Sequence, residues 1–230
     1  MRLTLSAVCL LLTANLAHAM QPAEPPPGPV FIAAYADVKP KSVSAARKLM
    51  ESYVRANKAD AGNVMSFVLQ DIEHGSKFMV IETWQDLQSF TAHEQAAHTQ
   101  EFRAQFKPLS RIPYDQGVHH GLDVDPMPAA ATLDSLFVVT HVDVRMQREA
   151  TEAELTKLAQ ASRADAGHLR YDVFQQNPTR TNHFTLFSIW SNRKAYDAHA
   201  ESAHWQQFVE SIAPLIGAPY DDRQFKRITE

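Results

Sequence analysis

The chain has 230 residues, with 22 Lys plus Arg against 26 Asp plus Glu and a formal net charge of −4 at neutral pH. Acidic and basic residues are interspersed, so no basic stripe suggests a nucleic-acid partner and no polybasic cluster suggests anionic lipid. The single cysteine, Cys9, lies in the N-terminal apolar segment, and a chain that loses this segment has no disulfide, thiolate ligand or cysteine nucleophile.

That first segment carries Arg2, the apolar run Leu3 to Leu16 and the small-x-small pattern Ala17-His18-Ala19. It reads as a secretory signal cleaved after Ala19, since Ser6, Thr13 and Asn15 interrupt it and it falls short of the ~20 apolar residues a bilayer span needs. The expected location is periplasmic or secreted, without stable membrane insertion, and loss of Arg2 takes the formal charge from −4 to −5. Residues 20–29 contain Pro22, Pro25, Pro26, Pro27 and Pro29, the composition of an extended linker.

Folding is expected to start at Val30. Val30 to Val38 is an apolar run ended by Lys39-Pro40, as a strand would be. Ser44 to Asp60 places Ala46, Leu49 or Met50, Tyr53 and Asn57 on one helical face, and Gly62 follows as a stop signal. Val64 to Ile72 and Lys77 to Trp84, joined by Glu73-His74-Gly75-Ser76, read as an antiparallel hairpin. After Trp84 the period becomes helical: His98, Phe102, Phe106 and Leu109 fall on one stripe, ended near Pro108. Gly117 to Val124 is a last strand. The linker 125–135 follows, long enough at about 3.3 Å per residue to reach across a small domain.

Residues 136–230 then say nearly the same again. Twelve of the 32 positions from Trp84 to Asp115 are identical 106 residues later, where unrelated sequences give about two. The second set of elements is Leu136 to Val144, a helix opened by a Thr151/Glu154 capping box, and Leu169 to Gln175 joined across Asn177-Pro178 to His183 to Trp190. It closes with a helical stripe of His204, Phe208, Ile212 and Leu215 ended near Pro214, and a strand over Arg223 to Ile228. Each copy, 30–124 and 136–230, reads β-α-β-β-α-β, the ferredoxin-like split arrangement of the α+β class. Such a sheet leaves one face bare, so two tandem units are expected to pack sheet to sheet as an intrachain pseudo-dimeric α/β barrel, with further oligomerisation open.

The end of the third strand and the following helix resemble the antibiotic biosynthesis monooxygenase superfamily. The signature stands as Glu82-Thr83-Trp84, Phe90, Ala92-His93, His98 and Phe102, and again as Trp190, Tyr196, Ala198-His199, His204 and Phe208. The resemblance implies a cofactor-independent monooxygenase whose substrate, a quinol or related phenolic aromatic, loses a proton and reacts with O₂ in an apolar pocket. It equally admits a haem-binding or haem-degrading protein on the same fold, although Phe31 to Tyr35 and Phe137 to His141 lack the asparagine those relatives use. A non-enzymatic small-molecule-binding protein is the third reading.

Within that resemblance His93 and His199 are candidate general bases, against the alternative of histidines bonded to a helix-end carbonyl. Trp84 and Trp190 line the pocket or fill core. Anthrone-oxidising relatives pair the tryptophan with a tyrosine six residues on; Trp190 and Tyr196 keep that pair, Trp84 has Phe90, and one working site or two unequal ones is expected. Those relatives also use an asparagine where Val80 and Leu186 stand, and an arginine that only Arg103 matches here. His98 and His204 share apolar stripes with Phe102 and Phe208, which favours satisfied core histidines beside a substrate pocket. Tyr35 and His141, equivalent on the two first strands, either orient substrate inside the barrel or face water. No metal site is expected: His119-His120 are adjacent strand residues that face opposite sides, and no carboxylate or third histidine stands at ligand spacing. Asp60-Ala61-Gly62 and its copy Asp165-Ala166-Gly167 are read as geometric, the glycine ending the helix.

Overall fold

A computed structural model describes residues 27–126, 131–145, 148–176 and 180–228. The expected signal, most of the proline-rich linker and the Asn177-Pro178 turn lie outside these residues. The first half runs β1 (Val30–Asp37), α1 (Val43–Asn57), β2 (Asn63–Asp71), β3 (Lys77–Trp84), α2 (Leu87–Gln95), α3 (Ala97–Phe106) and β4 (Asp115–Asp123). The second repeats it as β5 (Leu136–Asp143), α4 (Arg148–Ser162), β6 (His168–Gln176), β7 (His183–Trp190), α5 (Arg193–Ala200), α6 (Ala203–Ile212) and β8 (Asp221–Arg227).

Two local expectations are corrected. The helix expected after each tryptophan is an elbow of two helices, because Ala96 and Ser202 adopt extended backbone and serve as the N-cap of the next helix. Ser202 accepts a hydrogen bond from the Trp205 N–H, whereas Ala96 has no side chain to do so. Thr151 and Glu154 do not form a capping box: α4 starts three residues earlier, Thr151 is fully buried within it, and Glu154 accepts from Ser211 Oγ at 2.7 Å.

The eight strands close into one barrel in the order β1-β3-β2-β8-β5-β7-β6-β4. Each half supplies a ferredoxin-like sheet, β4-β1-β3-β2 and β8-β5-β7-β6, and the sheets join at both edges through β2 with β8 and β4 with β6. Strand alternation sends Phe31, Phe67, Met79, Phe137, Phe174, Phe187 and Phe225 inward, where residues of both halves form one apolar cluster. Phe31 stacks on Phe174 across the two halves with centroids 4.2 Å apart. The barrel interior is therefore filled, at about 2–3 kcal/mol for each buried phenylalanine. Alternate residues point outward beneath the helices, forming one core under each half's helices, with Ile228 joining the first and Leu122 packing on the second.

Candidate functional site

In each half the tryptophan ending the third strand lies fully buried under the helix elbow. His93, in the last turn of α2, sets its ring against Trp84 with centroids 4.4 Å apart, and His199 of α5 does the same to Trp190 at 4.5 Å. A carboxylate from the turn after the first helix holds each imidazole: Asp60 Oδ2 lies 2.7 Å from His93 Nδ1, and Asp165 Oδ2 lies 2.8 Å from His199 Nδ1. The second histidine of each elbow approaches the same oxygen, His98 Nε2 at 3.2 Å and His204 Nε2 at 3.0 Å. Gly62 and Gly167, both at φ 82°, turn the chain so that these aspartates face the elbow. The aspartate is thus more than a geometric companion of the glycine. Its repetition in both copies was the signal in the sequence.

The halves differ in what surrounds this arrangement. In the first, Tyr53 Oη lies 2.8 Å from His93 Nε2, so both ring nitrogens are engaged. Glu82 accepts from Asn57 Nδ2 and from Trp84 Nε1, each at 2.9 Å, and burial pushes its carboxyl up to about 7. In the second half Leu158 and Ser188 occupy the positions of Tyr53 and Glu82, and Trp190 Nε1 donates to Ser188 Oγ at 3.0 Å. Among the described residues Nε2 of His199 has no hydrogen-bond partner. Burial pulls the pKa of both His93 and His199 down, opposed by their aspartates.

The remaining candidates divide among three places. Phe90 packs on Trp84, Phe102 stacks on Tyr53 at 4.0 Å, and Arg103 pairs with Glu94 at 3.1 Å while lying 4.2 Å over the Tyr114 ring. In the second half Tyr196 is buried against Trp190 with Asp222 and Gln224 near its hydroxyl, and Phe208 packs on Trp205. A cleft of about 30 Å³ between α4 and α6 is lined by Leu158, His204 and Phe208.

Tyr35 and His141 lie apart from both, at one mouth of the barrel, with Tyr35 Oη 2.5 Å from His141 Nε2. His141 Nδ1 lies 3.2 Å from His183 Nε2, and His183 Nδ1 lies 2.9 Å from Asp143 Oδ1. A cavity of about 290 Å³ opens here, lined from both halves by Tyr35, His119, His141, His183 and Arg223. Burial, followed by the nearby His183, holds His141 at about 3 and His119 at about 4, so both are neutral at pH 7. His183 escaped the sequence reading. Its place follows from the pairing of β7 with β5, which sets it opposite Asp143.

Two ferredoxin-like units closed into a shared barrel, each with a carboxylate-held histidine on a tryptophan, define the class of dimeric α/β-barrel proteins built here within one chain. The family model for antibiotic biosynthesis monooxygenases matches residues 29–105 and again 137–211, more than half of the chain, and the chain belongs to that family. A protein described as "Putative monooxygenase YcnE" from Bacillus subtilis is 36% identical over 75 residues, covering 33% of this chain and 78% of its own length. Two crystal structures carrying the description "putative monooxygenase" share the fold. The one from Fusobacterium nucleatum has a TM-score of 0.78 at 15% identity, covering 87% of this chain and 93% of its own. The one from Lactobacillus acidophilus has a TM-score of 0.72 at 16% identity, covering 87% and 94%.

Proposed function

We propose that the chain is an exported, cofactor-independent monooxygenase that oxidises a quinol or related phenol with O₂, using His199 in the second half as general base. The observation that carries this reading is the state of His199: Asp165 holds Nδ1, Trp190 backs the ring, and Nε2 is unpartnered. Asp165 accepting from Nδ1–H fixes the tautomer that leaves a lone pair on Nε2, the arrangement a general base needs. Nε2 takes the phenolic proton, and the electron-rich anion passes an electron to O₂. Radical recombination forms the new C–O bond. A quinol and O₂ then give a hydroxyquinone and water, one oxygen atom entering the ring and the other leaving with two substrate hydrogens.

The cleft beside His204 and Phe208 holds only about 30 Å³ and His199 is buried behind its lining residues, so this reading requires α4 and α6 to part before a flat aromatic can reach Nε2. Against haem stands the absence of an asparagine from both first strands, the residue the haem-degrading relatives use there. Residues 1–19 support export, and fractionation of expressing cells tests it, the expected result being a periplasmic chain that begins at Met20.

Oxygen-electrode measurements with a panel of quinols test the activity. The wild type consumes O₂, and His199→Ala and Asp165→Asn lower kcat by roughly 10²-fold or more. A folded wild type that consumes no O₂ with any quinol overturns the enzymatic reading in favour of a binding protein. Full turnover in His199→Ala overturns the base assignment alone.

A further inference from the structure

We propose that the first half binds a divalent transition-metal ion, Zn²⁺ or a close neighbour, on Asp60, His93 and His98. The three side chains come from three separate elements: the turn after α1, the last turn of α2 and the first turn of α3. Their donor atoms all lie within 4.8 Å of one another, with Asp60 Oδ2 2.7 Å from His93 Nδ1 and 3.2 Å from His98 Nε2. Two ligand atoms each bound at 2.0–2.1 Å to one ion stand about 2.9 Å apart at a right angle and about 3.4 Å apart at a tetrahedral one. The present spacings therefore need only a small opening between Asp60 and His93. Two imidazoles and a carboxylate are a donor set suited to zinc and its neighbours, with water completing the shell.

Hydrogen bonding alone leaves this cluster unfinished. His98 Nε2 is enclosed, yet it is not aligned to hydrogen-bond Asp60 or any other described group. A metal ion in front of that nitrogen would give its lone pair a partner. The side chains of His98 and Asp60 remain 30% and 23% exposed, which leaves a way in for the ion and room for water ligands.

An outer shell is already built. With a metal on Nδ1, the proton that His93 now shares with Asp60 is released, and Nε2–H donates to Tyr53 Oη, 2.8 Å away. Tyr53 in turn bonds Glu82, which Asn57 and Trp84 fix from the other side. Histidines that ligate metals are commonly oriented by such a partner on the second nitrogen. The second half lacks these features. There Leu158 and Ser188 replace Tyr53 and Glu82, and Ser202, standing where the first half has Ala96, lies 3.1 Å from His204 Nε2 and completes its hydrogen bonding.

The test uses the untagged full chain, stripped with a chelator and titrated with Zn²⁺ by calorimetry and with Co²⁺ by visible absorption. At about 100-fold excess over Kd, Zn²⁺ should raise Tm by about 5 °C or more. Asp60→Asn and His98→Gln should abolish the Co²⁺ band and the Tm rise, Tyr53→Phe should weaken binding by about 10-fold, and Asp165→Asn should leave the Co²⁺ band in place. His98→Gln alters a partly exposed side chain and keeps the test open if Asp60→Asn does not fold. No Zn²⁺ or Co²⁺ binding by the folded wild type, or binding that survives both Asp60→Asn and His98→Gln, overturns the proposal.

Discussion

Tyr35 and His141 occupy the same position in two copies of one unit, 106 residues apart, and the phenol of the first meets the imidazole of the second at 2.5 Å. Every group is satisfied if Tyr35 donates to Nε2, His141 Nδ1–H donates to His183, and His183 Nδ1–H donates to Asp143.

Tyr35→Phe should therefore weaken the seam between the halves. It leaves His141 Nε2 without its partner, a loss of about 1–2 kcal/mol. Urea unfolding should show a lower midpoint with an unchanged slope, and Tm should fall by about 2–8 °C.

The histidines of the mouth give the fold an acid limit. His119 and His141 titrate at about 4 and about 3 in the folded chain, below the ordinary 6.5, so both contribute stability that is complete above pH 6.5. As pH falls from there, the unfolded chain takes up protons that these buried rings refuse, and stability drops by at most about 1.4 kcal/mol per pH unit for each ring. Unfolding midpoints measured between pH 7 and 4.5 should decline, and His141→Gln should flatten the decline.

Glu82 acts in the opposite sense. Its folded pKa of about 7 lies above the ordinary 4.5, so its contribution is full below pH 4.5 and is lost as pH rises through 7. Glu82→Gln offers one oxygen to two N–H donors, Asn57 and Trp84, and should cost about 1–3 kcal/mol at pH 5. The gap between wild type and variant should narrow toward pH 8.

Gly62→Ala and Gly167→Ala should each destabilise by about 1–3 kcal/mol. Both positions have φ of 82°, and an added Cβ would lie 2.3 Å from Ser89 Oγ or 2.6 Å from Ala195 Cβ. Gly217→Ala is the control: its nearest neighbours stand at 3.5 Å or more, and Tm should hardly move.

Strands were the most legible part of the sequence, because alternation and turn chemistry are local. The limits expected for Lys77 to Trp84 and His183 to Trp190 are those of β3 and β7. The break at Ala96 was not legible, since neither glycine nor proline stands at Glu94-Gln95-Ala96-Ala97 to mark it and only the backbone changes. Thr151 misled for a related reason: its spacing to Glu154 also occurs inside a helix, and burial decided the matter. At the site, the repeated tryptophans and histidines could be read directly. The part played by Asp60 could not, because its partners lie 33 and 38 residues away and meet it only once α1 and the elbow have docked. The meeting of Tyr35 with His141 depends on closure of the whole barrel.

Closure of eight strands within one polypeptide also changes how such an assembly can evolve. When identical subunits pair about a twofold axis, every mutation arrives twice, and no position can carry different residues on the two sides. Fusion lifts that restriction. Tyr35 can face a histidine, and one copy can carry Glu82 where the other carries Ser188. One lobe is then free to drift toward a new role while the other preserves the inherited one, and neither can be lost by dilution.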